Sequence, residues 1–342
     1  MASEMEALVC TQPQTMVRET RPVPAAGPGE VVLKVKALGI CGSDIHAFHG
    51  RQPMFAYPQV MGHEISAEVV SCGDGVAGFQ AGQHVLVIPY KHCGKCVACR
   101  RGRTTCCTDL SVMGVHRTGA MQEYIAVEAE YVIASEGIPH EDAALVEPYS
   151  ISAHAVRRSG VVAGEWALVA GAGTIGLGAA DIARGLGAKI ILADPNRDRL
   201  EAARRNYGFE VCLDPLAEDY AAKLKSITDG DGPVVIIDAT GNAQSMNSQM
   251  DKLAASGTLV FVGLHNDKVC FDDLAFHKRE VNLLGSRAAT REDFELVIDL
   301  ALQGKINLGK LRSQTVRFAG LDQDGFNDLT SPKIVKSVVL FD

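Results

Sequence analysis

The sequence lacks any run of about 18 uninterrupted apolar residues, so no segment of it is expected to cross a bilayer as a helix. At the N-terminus, Met1-Ala-Ser-Glu-Met-Glu6 has no basic stretch leading into an apolar one, and the expectation is a cytoplasmic protein with no membrane association. An excess of positive charge is missing too. Lys and Arg number 33 against 41 Asp and Glu, a net charge of -8, whereas a nucleic-acid surface needs a concentrated basic face. Arg100, Arg101 and Arg103 make only a local cluster. No internal repeat and no low-complexity tract interrupts the chain. Ten cysteines without an export signal argue against a disulfide framework and for metal ligands beside reduced thiols.

What is present is enough apolar material for a large core. With 342 residues and 47% hydrophobic composition, an α/β protein of two domains is expected. Short β-rich runs at 5–10, 30–38, 65–72 and 84–90, separated by proline and glycine, make the first 130 residues mostly strand. From about Ser152 the texture becomes an alternation of strands and helices, which predicts a doubly wound parallel sheet. The expected division is 1–150 for the first domain, 151–289 for the sheet domain and 290–342 for a segment that rejoins the first.

Two groups in the first domain have metal chemistry. Cys41 offers a thiolate and His63 an imidazole, the donors that suit zinc, while Glu64 or Glu147 could add a carboxylate. Three protein ligands leave one position open, as catalytic rather than structural zinc requires. The stretch that holds them, 39–64, is expected to lie on connections between strands. Further on, Cys93, Cys96, Cys99 and Cys107 are spaced Cys-x2-Cys-x2-Cys-x7-Cys in a polar segment with no apolar periodicity. Four thiolates close a tetrahedral structural zinc, and metal binding supplies the folding energy that such a segment cannot draw from a core. Cys106 competes with Cys107 for the fourth place.

The second domain has a nucleotide fingerprint. An apolar strand feeds Gly171-Ala-Gly173-Thr174-Ile175-Gly176, a helix over Leu177 to Leu186 follows, and a second strand ends in Asp194. The glycines permit a tight turn, close approach of a pyrophosphate and packing of helix on strand. Asp194 can accept hydrogen bonds from an adenosine ribose and disfavours a 2′-phosphate, which points to NAD; Arg197 and Arg199 pull the other way. Thr240, Gly263 and Leu264 fall just past later strand ends, where such sheets bind ligands.

Cys41-Gly-Ser-Asp-Ile-His46, Gly62-His63-Glu64, the cysteine lobe, Glu147-Pro and the glycine turn occur in an order that resembles the zinc-dependent medium-chain dehydrogenases. The resemblance covers essentially the whole chain and implies a GroES-like catalytic domain beside a Rossmann domain, NAD, one catalytic and one structural zinc, and a homodimer or homotetramer. Glu147-Pro stands where simple alcohol dehydrogenases carry a cysteine ligand, and Pro-Tyr90, Gly-Val-His116, Phe-His-Lys278 and Gly-Ser-Arg287 are most similar to bacterial L-galactonate and L-gulonate 5-dehydrogenases. That branch implies oxidation of a hexonate C5 hydroxyl to a ketone. It also implies that Ser43 passes the hydroxyl proton toward His46, that Asp44 orients His63, and that Cys41, His63 and Glu64 or Glu147 hold the catalytic zinc. Arg287 is a candidate for the substrate carboxylate or a cofactor phosphate, with His116 and Arg117 as further candidates for the carboxylate. The alternatives are a neutral polyol dehydrogenase, an L-threonine 3-dehydrogenase, and a catalytically silent dinucleotide-binding protein.

Overall fold

The computed structural model describes residues 3–331 and 334–342. The chain divides into two units. The first comprises 1–147 and 311–342 and the second 148–310, so the chain returns to its first unit at Leu311 rather than at 290. The reason is the helix Arg291–Leu302, which buries Phe294, Val297 and Leu300 and packs with the helix Thr174–Gly185 inside the second unit.

The first unit is built on a seven-stranded sheet and a three-stranded one. In the larger sheet Glu30–Ile40 pairs with Glu64–Cys72 on one side and with the C-terminal strand Ser337–Leu340 on the other, both antiparallel. This register sets the last strand of the chain beside Gly39 and Ile40, immediately before Cys41. The segment 84–90, expected as one strand, splits into His84–Val87 and Tyr90–Lys91 around Pro89, whose missing N–H ends the ladder. Residues 39–64 are not all connection either. Gly42–Phe48 forms a helix, capped by a reciprocal hydrogen-bond box between Cys41 and Asp44. Phe48 packs on Phe326 of the C-terminal segment, with ring centroids 5.0 Å apart.

In the second unit six strands pair in parallel, in the spatial order Val211–Leu213, Lys189–Ala193, Trp166–Ala170, Val235–Asp238, Thr258–Phe261, Asn282–Gly285. Its order reverses beside Trp166–Ala170, the point at which doubly wound sheets bind dinucleotides. Leu168, Ile191, Ile236 and Leu259 are buried at the centre of the sheet, with Tyr220 and Leu224 from the helix Tyr220–Ile227 packed on them. Continuous apolar strands such as Trp-Ala-Leu-Val-Ala follow from burial on both faces. No helix among the described residues is long and apolar enough to cross a membrane.

Candidate active site and nucleotide-binding turn

Cys41, His63 and Glu64 bring one donor atom each within 4.8 Å of one another. Three local features put them there. Cys41 caps the helix Gly42–Phe48; Gly62 holds φ +95 just before His63; and Gly39, across the ladder from Glu64, leaves the space that the Glu64 carboxylate fills. A Cβ on Gly39 would lie 1.9 Å from Glu64 Oε2, and one on Gly62 would lie 2.6 Å from Leu38 Cδ2. Backbone bonds from Ala120 to Gly62 and from Met121 to Met61 fix the approach to His63.

Asp44 does not bond His63 directly: its Oδ1 is 3.9 Å from His63 Nδ1. Instead Oδ2 accepts from the Cys41 N–H at 2.9 Å and Oδ1 from the Gly62 N–H at 3.1 Å, so one buried carboxylate ties together the two segments that present the thiol and the imidazole. Burial opposes a charge on His63, yet the sulfur of Cys41 and then Asp44 hold its pKa well above the ordinary histidine range.

The two glutamates are partnered differently. Glu64 Oε1 accepts from Lys336 Nζ at 2.6 Å, with both side chains buried. Glu147 Oε1 accepts from the Tyr90 hydroxyl. Burial pushes Glu147 up to about 7; His63 opposes that rise and Glu64 adds to it. Glu64 Oε2 and Glu147 Oε2 are buried and have no hydrogen-bond partner among the described residues. Glu64, and not Glu147, stands in the group with Cys41 and His63; its orphaned buried carboxylate oxygen beside a thiol and an imidazole is a setting a zinc ion satisfies, so that donor set fits the metal. Lys336 carries no motif in the sequence, and Tyr90 enters there only through the resemblance, without its bond to Glu147. The one available signal was a lysine abutting the apolar run Ser-Val-Val-Leu, since lysine is almost never fully buried unless paired.

Ser43 Oγ is buried without a hydrogen-bond partner among the described residues, while His46 is exposed. His116 is exposed too and its Nδ1 accepts from the Val112 N–H at 3.0 Å. Arg117 reaches the Pro89 carbonyl.

The four cysteines of the lobe come together. The sulfurs of Cys93, Cys96, Cys99 and Cys107 lie within 4.8 Å of one another, and exposed Cys106 stands outside the group. Backbone N–H groups of Cys93 and Asp109 point at Cys107 Sγ, at 3.2 and 3.3 Å. N–H donors from Cys99 and then Thr108 pull Cys96 down to about 5, which favours a thiolate ligand. The helix Val97–Arg100 inside the lobe buries no residue, so the segment has almost no core of its own.

In the second unit the helix begins at Thr174 rather than Leu177, because Gly173 occupies its N-cap. A Cβ on Gly176 would lie 1.7 Å from the Gly171 carbonyl oxygen, whereas one on Gly173 would meet nothing within 4 Å. The third glycine is thus needed for packing, and the second opens space above a helix N-terminus that begins with Thr174 and Ile175, where phosphate is favoured. Asp194 lies one residue beyond Lys189–Ala193 and accepts from the Ala172 N–H at 2.7 Å and the Asn196 N–H at 2.8 Å; the nearest Arg199 nitrogen is 3.9 Å away. Gly171, Gly173, Asp194, Arg199 and Thr240 line one cavity. Gly263 packs against Gly241, but Leu264 is 89% exposed and outside that cavity. Arg287 is exposed just beyond the strand Asn282–Gly285.

A glycine turn for a dinucleotide and a thiol, imidazole and carboxylate group suited to zinc are together the equipment of a metal-assisted dehydrogenase. The chain belongs to the zinc-dependent alcohol dehydrogenase family: residues 27–139 match the alcohol dehydrogenase GroES-like domain and 174–303 the zinc-binding dehydrogenase domain. It is an oxidoreductase acting on CH–OH donors. Among its relatives is the L-galactonate-5-dehydrogenase of Escherichia coli K12, 43% identical over 340 residues, 99% of this chain and 100% of that one. The L-threonine 3-dehydrogenase of Pyrococcus abyssi is 32% identical over 350 residues, 99% of each chain. Among solved structures, an alcohol dehydrogenase of Escherichia coli CFT073 complexed with NADH superposes with a TM-score of 0.90 at 28% identity, covering 99% of this chain and 100% of that one.

Proposed function

We propose that the enzyme oxidises the C5 hydroxyl of a hexonate, L-galactonate or L-gulonate, to a ketone and passes the hydride to NAD. The observation that carries the sugar-acid reading is the 43% identity, over essentially both full chains, with the L-galactonate-5-dehydrogenase. Cys41 and His63, with Glu64 or Glu147, would hold the catalytic zinc, and Cys93, Cys96, Cys99 and Cys107 a structural one. When bound, zinc at the first site would supply a Lewis acid that lowers the pKa of a hydroxyl, and NAD would supply the hydride acceptor.

The chain's own residues supply the rest. Ser43 Oγ, buried without a hydrogen-bond partner among the described residues, accepts the hydroxyl proton as it passes its own toward exposed His46. Asp194 binds the adenosine ribose and selects NAD over NADP, and Gly171, Gly173, Thr174, Ile175, Gly176, Thr240, Gly263 and Leu264 receive the remainder of the dinucleotide. Arg287 and His116 are the candidates for the substrate carboxylate. We place the enzyme in the cytoplasm as a homodimer or homotetramer.

A second reading, L-threonine 3-dehydrogenase, is supported by a relative of that name matched over 99% of the chain. Threonine also bears a carboxylate, so a cationic anchor suits either substrate. Cys41→Ala tests the site: turnover is lost while NADH binding, followed by fluorescence, persists. Retained turnover would contradict the assignment.

A further inference from the structure

Glu68, His84 and His140 form a second imidazole and carboxylate cluster in the first unit, separate from Cys41 and from the lobe. Glu68 and His84 are direct cross-strand partners in the pairing of Glu64–Cys72 with His84–Val87, so their side chains leave the same face of the sheet. His140 begins the short helix His140–Ala143 and lays its ring against His84, with centroids 4.2 Å apart. From Glu68 Oε1 it is 3.8 Å to His84 Nε2 and 3.4 Å to His140 Nε2.

The ring of His140 is held from behind. Ser66, buried two residues before Glu68, bonds His140 Nδ1 through its Oγ at 2.8 Å. When Nδ1 donates that proton, Nε2 presents a lone pair toward Glu68 and His84, as in metal sites whose ligating histidine is held by an oxygen behind it. His140 Nε2 is shielded from solvent and has no hydrogen-bond partner among the described residues, although Glu68 Oε1 is near. Burial, and then the imidazole of His84, hold His140 below the ordinary histidine range, which favours the neutral ligand form.

We propose that Glu68, His84 and His140 bind a divalent transition-metal ion with an affinity for imidazole and carboxylate, zinc foremost. Donors of a tetrahedral ion with bonds of about 2.1 Å stand roughly 3.4 Å apart, so the observed spacings need only small side-chain rotations. With 41% of the His84 side chain and 32% of that of Glu68 exposed, the ion has an entry path and room for water at its remaining positions. Once bound, it clamps His140–Ala143 to the sheet, immediately ahead of the helix Val146–Ser159 that begins beside Glu147.

The test is zinc counting by mass spectrometry on the full chain after dialysis against micromolar zinc chloride. The parent chain retains one equivalent more than His84→Ala/His140→Ala, and Ser66→Ala needs about tenfold more free zinc to fill that equivalent. Equal zinc in parent and double variant would overturn the site. Because a double variant can perturb folding, copper(II) added to the parent after dialysis against zinc-free buffer has removed that extra equivalent gives a second readout. Its electron paramagnetic resonance spectrum carries splitting from two ring nitrogens, reduced to one in His84→Ala alone. A thiolate-type copper spectrum, or nitrogen splitting unchanged in His84→Ala, would overturn the proposal as well.

Discussion

Lys336 Nζ lies 2.6 Å from Glu64 Oε1 and 3.0 Å from the Ile40 carbonyl oxygen, so a C-terminal cation is sealed against a carboxylate of the candidate zinc group. The pair exists because Ser337–Leu340 is inserted beside Glu30–Ile40, next to the strand that begins with Glu64. Burial opposes the charge on Lys336, but Glu64 and then Cys41 raise its pKa above the ordinary lysine value, and it stays charged. The lysine therefore neutralises one carboxylate at a site that also holds Glu147, and leaves Glu64 Oε2 as the free atom.

Lys336→Met removes one partner of a buried ion pair and strands Glu64. A loss of about 3–5 kcal/mol is expected, read as a lower denaturation midpoint, with Lys336→Arg closer to the parent. A midpoint unchanged in Lys336→Met would show that the pair is not formed in solution.

Cys93→Ser opens the lobe. Since the segment has almost no core and zinc contributes on the order of 10 kcal/mol to such folds, the variant should carry one zinc fewer and be cleaved by protease within 91–110. Full zinc content with unchanged proteolysis would remove the structural-metal assignment.

Asp293 gives a prediction in pH. Buried at the start of Arg291–Leu302, its carboxylate accepts from His154 Nδ1 at 2.7 Å, Arg157 at 2.6 Å and the Thr290 N–H at 2.7 Å. Burial acts to raise its pKa, but the bonds from His154 and Thr290, with Arg157, outweigh it and hold the pKa below the ordinary aspartate value. A depressed folded-state pKa means stability that is present above about pH 4 and is lost as pH falls through the folded value. Asp293→Asn should cost about 2–4 kcal/mol at pH 7, and the gap to the parent should close in acid. A gap that stays constant down to pH 3 would show that charge is not its source.

The parts of the site legible in the sequence were those set by near neighbours. The glycine turn, the cysteine spacing and Gly62-His63-Glu64 each act over a few residues, so composition and spacing reveal them. Lys336 is 272 positions from Glu64 and is brought there by the register of Ser337–Leu340 beside Glu30–Ile40, and Tyr90 is 57 from Glu147, which lies on the helix Val146–Ser159; no local pattern encodes either approach. The resemblance implies that Asp44 orients His63, whereas its bonds to the backbone of Cys41 and Gly62 depend on loop geometry. The helix Gly42–Phe48 is only seven residues long and opens Gly-Ser-Asp, too short for periodicity to declare itself. The return to the first unit was expected too early because Arg291–Leu302 shows an amphipathic pattern without showing which helix it packs against.

The central claim is tested most directly by following NADH or NADPH formation by the purified chain across L-galactonate, L-gulonate, sorbitol and L-threonine, with NAD and with NADP respectively. Turnover on the hexonates with NAD, and little on sorbitol or threonine, is the predicted result. Turnover confined to threonine or sorbitol would contradict the sugar-acid reading and leave the zinc site standing, whereas equal rates with NADP would contradict the role given to Asp194.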